Sequence, residues 1–126
     1  MKNQSNIEDL KSKVDFGIKF WLEFESKSIL GSGWAKLLDR IEKHEEGSLT
    51  LAAKECGYSY KYAWNILKKI EKRTGMPVVI TGKGGSGGGG WVKLNDWGHY
   101  LLKIYKDYLN EIIKIEKKLG ETMKTI

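Results

Sequence analysis

The sequence predicts a mostly α-helical α+β fold with small β elements and a long C-terminal helix. Three observations carry that expectation. The apolar period changes from two to three-and-four near Gly31. Helix-like stretches closed in turn by Gly47, Gly57 and Gly75 lead into two short strand-forming runs around a glycine-rich loop. From Asn95 onward, apolar residues again step by three and four almost to the end of the chain.

Residues 1–13 read as a loose polar segment. Val14, Phe16, Ile18, Phe20, Leu22 and Phe24 then alternate with Asp15, Gly17, Lys19, Glu23 and Glu25, with Trp21 the exception. Period two means one face buried and one wet, so this stretch predicts a strand. Glu25 to Ser28 reads as a turn, and Ile29 with Leu30 as a short return strand that completes a hairpin. Trp34, Leu37, Leu38 and Ile41 mark the inner face of a helix running from Gly31 to near Gly47, with Lys36, Asp39, Arg40 and Lys43 elsewhere. Ser48 fits the N-cap of a second helix, Leu49 to Cys56, that stops at Gly57. Ser59 fits the N-cap of a third, from about Tyr60 to Thr74, lined inside by Ala63, Ile66, Leu67 and Ile70; Pro77 prevents its continuation. Val78 to Ile80 and Trp91 to Leu94 form a second hairpin around Gly82 to Gly90, and Asn95 caps a last helix from about Asp96 to Met123. The expected organisation is a polar segment at 1–13, a domain at 14–94 and a long helix at 95–126.

Ser48 to Ile70 has the spacing of a helix-turn-helix. Gly57 supplies the positive φ of the tight turn, Ala52 and Ala53 are small enough for a close crossing, and Leu49, Ala63, Ile66 or Leu67, and Ile70 fill the wedge. An ordinary helical hairpin has the same parts. The following strands and glycine-rich tip give the order of a winged helix-turn-helix. In that fold the third helix enters the major groove of double-stranded DNA. Its outward residues are Tyr60, Lys61, Asn65, Lys68 and Lys69; Ser59 and the helix start are placed for a phosphate, and Lys83 sits on the hairpin near the backbone. Tyr62 and Trp64 are left open between packing and backbone contact.

Twenty-two Lys and Arg against 16 Asp and Glu give the 126-residue chain a net charge of +6, which fits a polyanionic partner. One cysteine, a polar start and no long apolar run fit a cytoplasmic protein with no membrane partner. Gly82 to Gly87 matches a dinucleotide fingerprint, but a strand follows where the fingerprint needs a helix. His44, His99 and Cys56 lack metal-ligand spacing, and no nucleophile–base pair stands out. No catalytic residue, metal or cofactor is expected.

The last helix presents Leu102, Tyr105, Leu109, Ile112 and Leu119 at three-and-four spacing. Its length outruns the domain, so the far half needs a partner, and pairing with the same helix of a second chain is the expected cover. Packing back on the N-terminal strand is the alternative.

The run Ala52-Ala53-Lys54-Glu55-Cys56-Gly57-Tyr58-Ser59-Tyr60-Lys61-Tyr62-Ala63-Trp64, followed by Gly84 to Gly90, resembles the N-terminal DNA-binding domain of ModE-type, molybdate-responsive regulators. More broadly the chain is similar to the DNA-binding domain of LysR-type regulators. The resemblance implies operator binding by a dimer, with contacts on Ser59, Tyr60, Lys61, Asn65, Lys68 and Lys83. ModE-type regulators also carry C-terminal molybdate-binding domains, which have no counterpart in these 126 residues, so no small-molecule effector is expected on this chain. The function expected is that of a sequence-specific transcriptional regulator acting as a homodimer. A protein-interaction module and a non-specific nucleoid-associated protein are the alternatives.

Overall fold

In the computed structural model, which describes residues 2–83 and 90–125, the element order is α1 (Lys2–Lys11), β1 (Leu22–Phe24), β2 (Lys27–Leu30), α2 (Ser32–Lys43), α3 (Leu49–Glu55), α4 (Tyr60–Thr74), β3 (Val79–Gly82), β4 (Trp91–Leu94) and α5 (Asp96–Thr125). The fold is mostly helical, with two separate two-stranded antiparallel sheets, β1–β2 and β3–β4. Ser48 and Ser59 start α3 and α4 as expected: their hydroxyls accept hydrogen bonds from the Leu51 and Tyr62 amides at 3.1 and 3.0 Å. Gly75 ends α4 at φ +80°, a left-handed conformation that costs glycine little. Asn95 caps α5 twice over. Its Oδ1 accepts from the Gly98 amide (2.8 Å), and its Nδ2 donates to the Pro77 carbonyl (2.7 Å), tying the helix to the start of β3.

The N-terminal region departs from expectation. The polar segment at 1–13 holds a helix, α1, whose side chains from Asn6 to Lys11 are exposed and make local ion pairs such as Lys11–Glu8 at 3.3 Å. A ten-residue polar helix is marginal alone, and it carries no apolar stripe for a sequence reading to find. Only Leu22–Phe24 of the expected strand over Val14–Phe24 joins a ladder. The alternation nevertheless survives as burial: Phe16, Ile18, Phe20, Leu22 and Phe24 are half-buried, while Gly17, Lys19, Trp21 and Glu23 face out. An extended chain lying on any surface shows period two, and here part of that surface is a helix. Phe20 packs on Tyr105 and Tyr108 of α5, with ring centroids 5.1 and 6.2 Å apart.

The first hairpin turns earlier than expected, at Glu25 and Ser26, both at positive φ (48° and 69°), as a two-residue turn of the primed type requires. β2 therefore begins at Lys27. The pairing then skips Ile29, passing from Glu23–Ser28 to Leu22–Leu30. This bulge lets consecutive residues Ile29 and Leu30 both enter the core, which a regular strand forbids.

A single apolar core joins Ile29 and Leu30 to Leu37, Leu38 and Ile41 of α2, Leu49, Ala52 and Ala53 of α3, and Ala63, Ile66, Leu67 and Ile70 of α4. Val78, Val92, Leu94, Leu101, Leu102 and Tyr105 close it from the second hairpin and α5. An ion-pair node fastens α5 to α2: Lys106 reaches Asp39 at 2.5 Å and Glu42 at 3.7 Å, and His99 meets Glu42 at 2.7 Å. Partial burial works to raise the Asp39 pKa, but hydrogen bonds and charge from Lys106 and Lys43 outweigh it and hold the carboxyl below 3.8.

Gly98 gives a sharp check on this docking. Alanine inside a helix normally stabilises by about 1 kcal/mol relative to glycine. A Cβ at Gly98, however, would fall within contact distance of the Val78 carbonyl oxygen and 3.2 Å from Leu94 Cδ2. Gly98→Ala is expected to lower stability by about 1–3 kcal/mol in urea unfolding, as overpacking does. A stabilised variant would show that α5 does not approach Val78 so closely.

Candidate nucleic-acid interface

The turn between α3 and α4 is built as the helix-turn-helix spacing requires. Gly57 sits at φ +75°, its amide donates to the Lys54 carbonyl (3.0 Å), and the Tyr58 amide donates back to the Ala53 carbonyl (2.9 Å). Ala52, Ala53 and Ala63 are fully buried where the two helices meet. Cys56 is half-buried beside the turn, and that burial pushes its thiol pKa up, as suits a small packing residue more than a nucleophile.

α4 turns Ala63, Ile66, Leu67 and Ile70 inward. At 100° per residue, Lys61, Asn65, Lys68 and Lys72 fall on the opposite side as one stripe. All four are exposed, as are Ser59, Tyr60 and Lys69. Lys68 lies over the Trp64 ring, 5.1 Å from its centroid, and 3.4 Å from Glu71. Trp64 is half-buried against the core. Tyr62 is about half exposed and meets Tyr58 edge-on at 4.9 Å, so the two aromatics left open by sequence divide between packing and surface.

The β3–β4 hairpin is tied to the loop that leads into this helix pair. The Val92 amide donates to the Gly47 carbonyl (2.9 Å), joining β4 to the α2–α3 loop. Gly47 is at φ +81°, and a Cβ there would meet Trp91 Cβ at 2.8 Å. Lys83 is exposed at the end of β3, while the rest of the glycine-rich tip lies at 84–89, outside the described residues.

Three cations missed by the sequence reading join the helix stripe. Lys27 on the first hairpin, with Lys69, Lys72 and Arg73 of α4, lines an open groove of about 610 Å³ together with Ser28. Arg73 is held in place there. Its Nη1 donates to the Ser28 carbonyl (2.6 Å) and its guanidinium lies 5.4 Å from the Trp34 ring centroid. Extending the Lys61–Asn65–Lys68 stripe by one turn would have found Lys72. Lys27 and Arg73 come together only through the fold.

Behind the turn, His44 links α2 to α3. Its Nε2 lies 3.0 Å from Glu55, its Nδ1 3.2 Å from Glu46, and Arg40 stands 3.8 Å from Glu55. The hydrogen bond to Glu55 lifts the His44 pKa above 6.5, partial burial opposes it, and Glu46 adds to the rise. A raised folded-state pKa stabilises fully below the unfolded value, and the gain is lost as pH rises through the folded one. The melting temperature is therefore expected to fall more steeply as pH rises above about 6.5 in the wild type than in His44→Gln. Identical profiles would remove His44 as the cause.

Of the residues expected at a dimer interface, Leu102 and Tyr105 lie in the core of the chain itself, at 2% and 4% exposure. Leu109 and Ile112 are half-buried and Leu119 is exposed. Leu101, Tyr105, Tyr108, Ile112, Ile115 and Leu119 follow one another at 4-3-4-3-4 spacing, so a heptad seam begins in the core and emerges from it at Tyr108. The N-terminal segment reaches the far end of the same helix, where Glu8, Lys11, Val14 and Phe16 border a groove with Gly120 and Met123.

Among the described residues no group of three metal-ligating side chains occurs, and no described helix is long and apolar enough to cross a membrane. No protein-family model matches the chain. Curated proteins do. The chain is 32% identical over 90 residues to the molybdenum transport protein ModE of Azotobacter vinelandii, covering 68% of this chain and 32% of that protein. It is 38% identical over 66 residues to the DNA-binding transcriptional dual regulator ModE of Escherichia coli (strain K12), covering 52% of this chain and 24% of the relative. It is 32% identical over 88 residues to the transcriptional regulator ModE of Yersinia pestis, covering 70% and 31%. The chain thus spans about a quarter to a third of the length of the curated relatives it matches. Over 52% to 70% of its length it is a relative of the ModE-type regulators, consistent with a ModE-type N-terminal DNA-binding domain.

Proposed function

We propose that this chain is a winged helix-turn-helix that binds double-stranded DNA in a sequence-specific manner and acts as a homodimer in transcription. The observation that carries the reading is the exposed stripe of Lys61, Asn65 and Lys68 on α4, directly opposite the residues that bury that helix. Lysine and asparagine at one-turn spacing suit phosphates, guanine edges and an adenine edge in the major groove. The Ser59 hydroxyl takes the Tyr62 amide, and the other amides of the solvent-exposed first turn of α4 suit a phosphate oxygen. β3 and β4 take the place of the wing, with Lys83 beside the backbone. The relatives' names as transcriptional regulators support the same reading.

Homodimerisation rests on the emerging seam. Tyr108, Ile115 and Leu119 are 56%, 49% and 47% exposed along one side of a helix of 30 residues, about 45 Å long. Exposed large apolar residues at heptad spacing are what a second α5 covers.

Gel shifts with genomic fragments against excess competitor DNA test the reading. Retention of particular fragments supports it. Retention without preference points to a non-specific nucleoid role, and no retention points to a protein-interaction module.

A further inference from the structure

Lys27, Lys72 and Arg73, in the groove between the first hairpin and the C-terminal half of α4, have no role in the proposed function. We propose that this groove is a second backbone-phosphate site, through which the β1–β2 hairpin grips DNA beyond the reach of the recognition turns and the wing; this rests on the proposed function.

The argument starts from charge. Lys27, Lys69, Lys72 and Arg73 border one open groove. Some lysines elsewhere meet carboxylates, such as Lys43 with Asp39 at 3.3 Å, Lys103 with Asp107 at 2.7 Å and Lys114 with Glu111 at 3.5 Å; what sets the groove apart is that four cations converge on it. Among the described residues none of the four groove cations has a carboxylate within 4.0 Å. Four like charges round one groove repel, and the groove is relieved only by anions from outside the chain.

Position decides which anion. Lys69 and Lys72 stand 8 and 11 residues beyond Lys61 on the same helix, about 12 and 16 Å along its axis. The major groove is about 12 Å wide. With the first turns of α4 at base edges, the far end of the stripe therefore comes level with a flanking backbone. The hairpin adds Lys27 there. Arg73, pinned by the Ser28 carbonyl and the Trp34 ring, holds hairpin and helix in fixed register. Successive phosphates of one strand can each meet a different one of the cations bordering the groove, whereas a single free phosphate engages one or two of them.

The test is the salt dependence of binding to a duplex selected by the wild-type protein. Lys27→Gln is expected to lower the slope of log K against log salt by about 0.9 per bound chain, and Lys27→Gln with Lys72→Gln by about twice that. Preference among sequences is expected to stay unchanged. Lys27→Arg with Lys72→Arg is expected to keep the wild-type slope. Both lysines are exposed, so thermal melting is expected to match wild type in every variant. If wild type leaves all duplexes unbound, the proposed function falls and this site falls with it. If wild type binds selectively but Lys27→Gln keeps its slope, the second site alone is overturned. The same holds if the arginine pair loses the slope, or if calorimetry finds stoichiometric uptake of inorganic phosphate that Lys27→Gln abolishes without changing DNA binding.

Discussion

A chain carrying Ile115→Glu together with Leu119→Glu is expected to sediment as a monomer, or to aggregate, at micromolar concentrations where wild type is expected to sediment as a dimer. Both side chains are about half exposed in the single chain, so their replacement leaves the core of the domain intact. Near-UV circular dichroism should accordingly stay native. What the charges remove is the apolar seam that continues from Tyr108 along α5. Two tethered DNA-binding units engage the second half-site at an effective concentration set by their linkage, and losing the tether costs about two to four orders of magnitude in affinity. Specific affinity is thus expected to fall by that factor while each unit's phosphate contacts persist. A wild-type chain that stays monomeric at high concentration would overturn the dimer, as would a double variant that still binds its selected duplex as well as wild type does. Leu102 and Tyr105 are poor choices for this experiment, because their replacement attacks the core directly.

The second large effect belongs to Asn65. It stands at the middle of the α4 stripe with an exposed side chain, whose amide can accept and donate at one adenine. Asn65→Ala is expected to cost about 1–3 kcal/mol at the best site, roughly five- to 150-fold, and to relax preference at a single base pair. Lys68→Gln is expected to behave differently. Its ammonium lies by the Trp64 ring and Glu71, and in the proposed complex it would serve as a point charge near phosphate. Its loss should weaken all sequences alike and flatten the salt dependence. Binding selections with the two variants separate these outcomes. Unchanged operator affinity in both would show that α4 does not read the groove.

How much of this was legible before folding depends on how far each signal reaches along the chain. Caps and stops are local: Ser48, Ser59, Asn95, Gly57 and Gly75 act on amides and dihedral angles within a turn of themselves. Helix faces are local as well, since a period of 3.6 residues sorts Ala63, Ile66, Leu67 and Ile70 from Lys61, Asn65 and Lys68. The limits of α3, α4, β3, β4 and the start of α5 could therefore be read with little error, and so could the exposed stripe.

Long-range contacts decided the rest. The alternation from Phe16 to Phe24 carried burial but not its partner, because period two is the same against a strand or against α5. The bulge at Ile29 depends on pairing across the hairpin, and α1 has no apolar stripe to announce it. The α5 pattern could not say where the core ends, so Leu102 and Tyr105 looked like Leu119 until the docking of α5 on α2 buried them. The groove of Lys27, Lys72 and Arg73 joins residues up to 46 positions apart, which only the packing of the first hairpin on α4 brings together. By itself, then, the sequence determined which residues form the helices and strands from α2 onward and which face each of those helices shows. The tertiary structure decided which of those faces the chain covers itself, because burial is a property of the partner surface and not of the pattern.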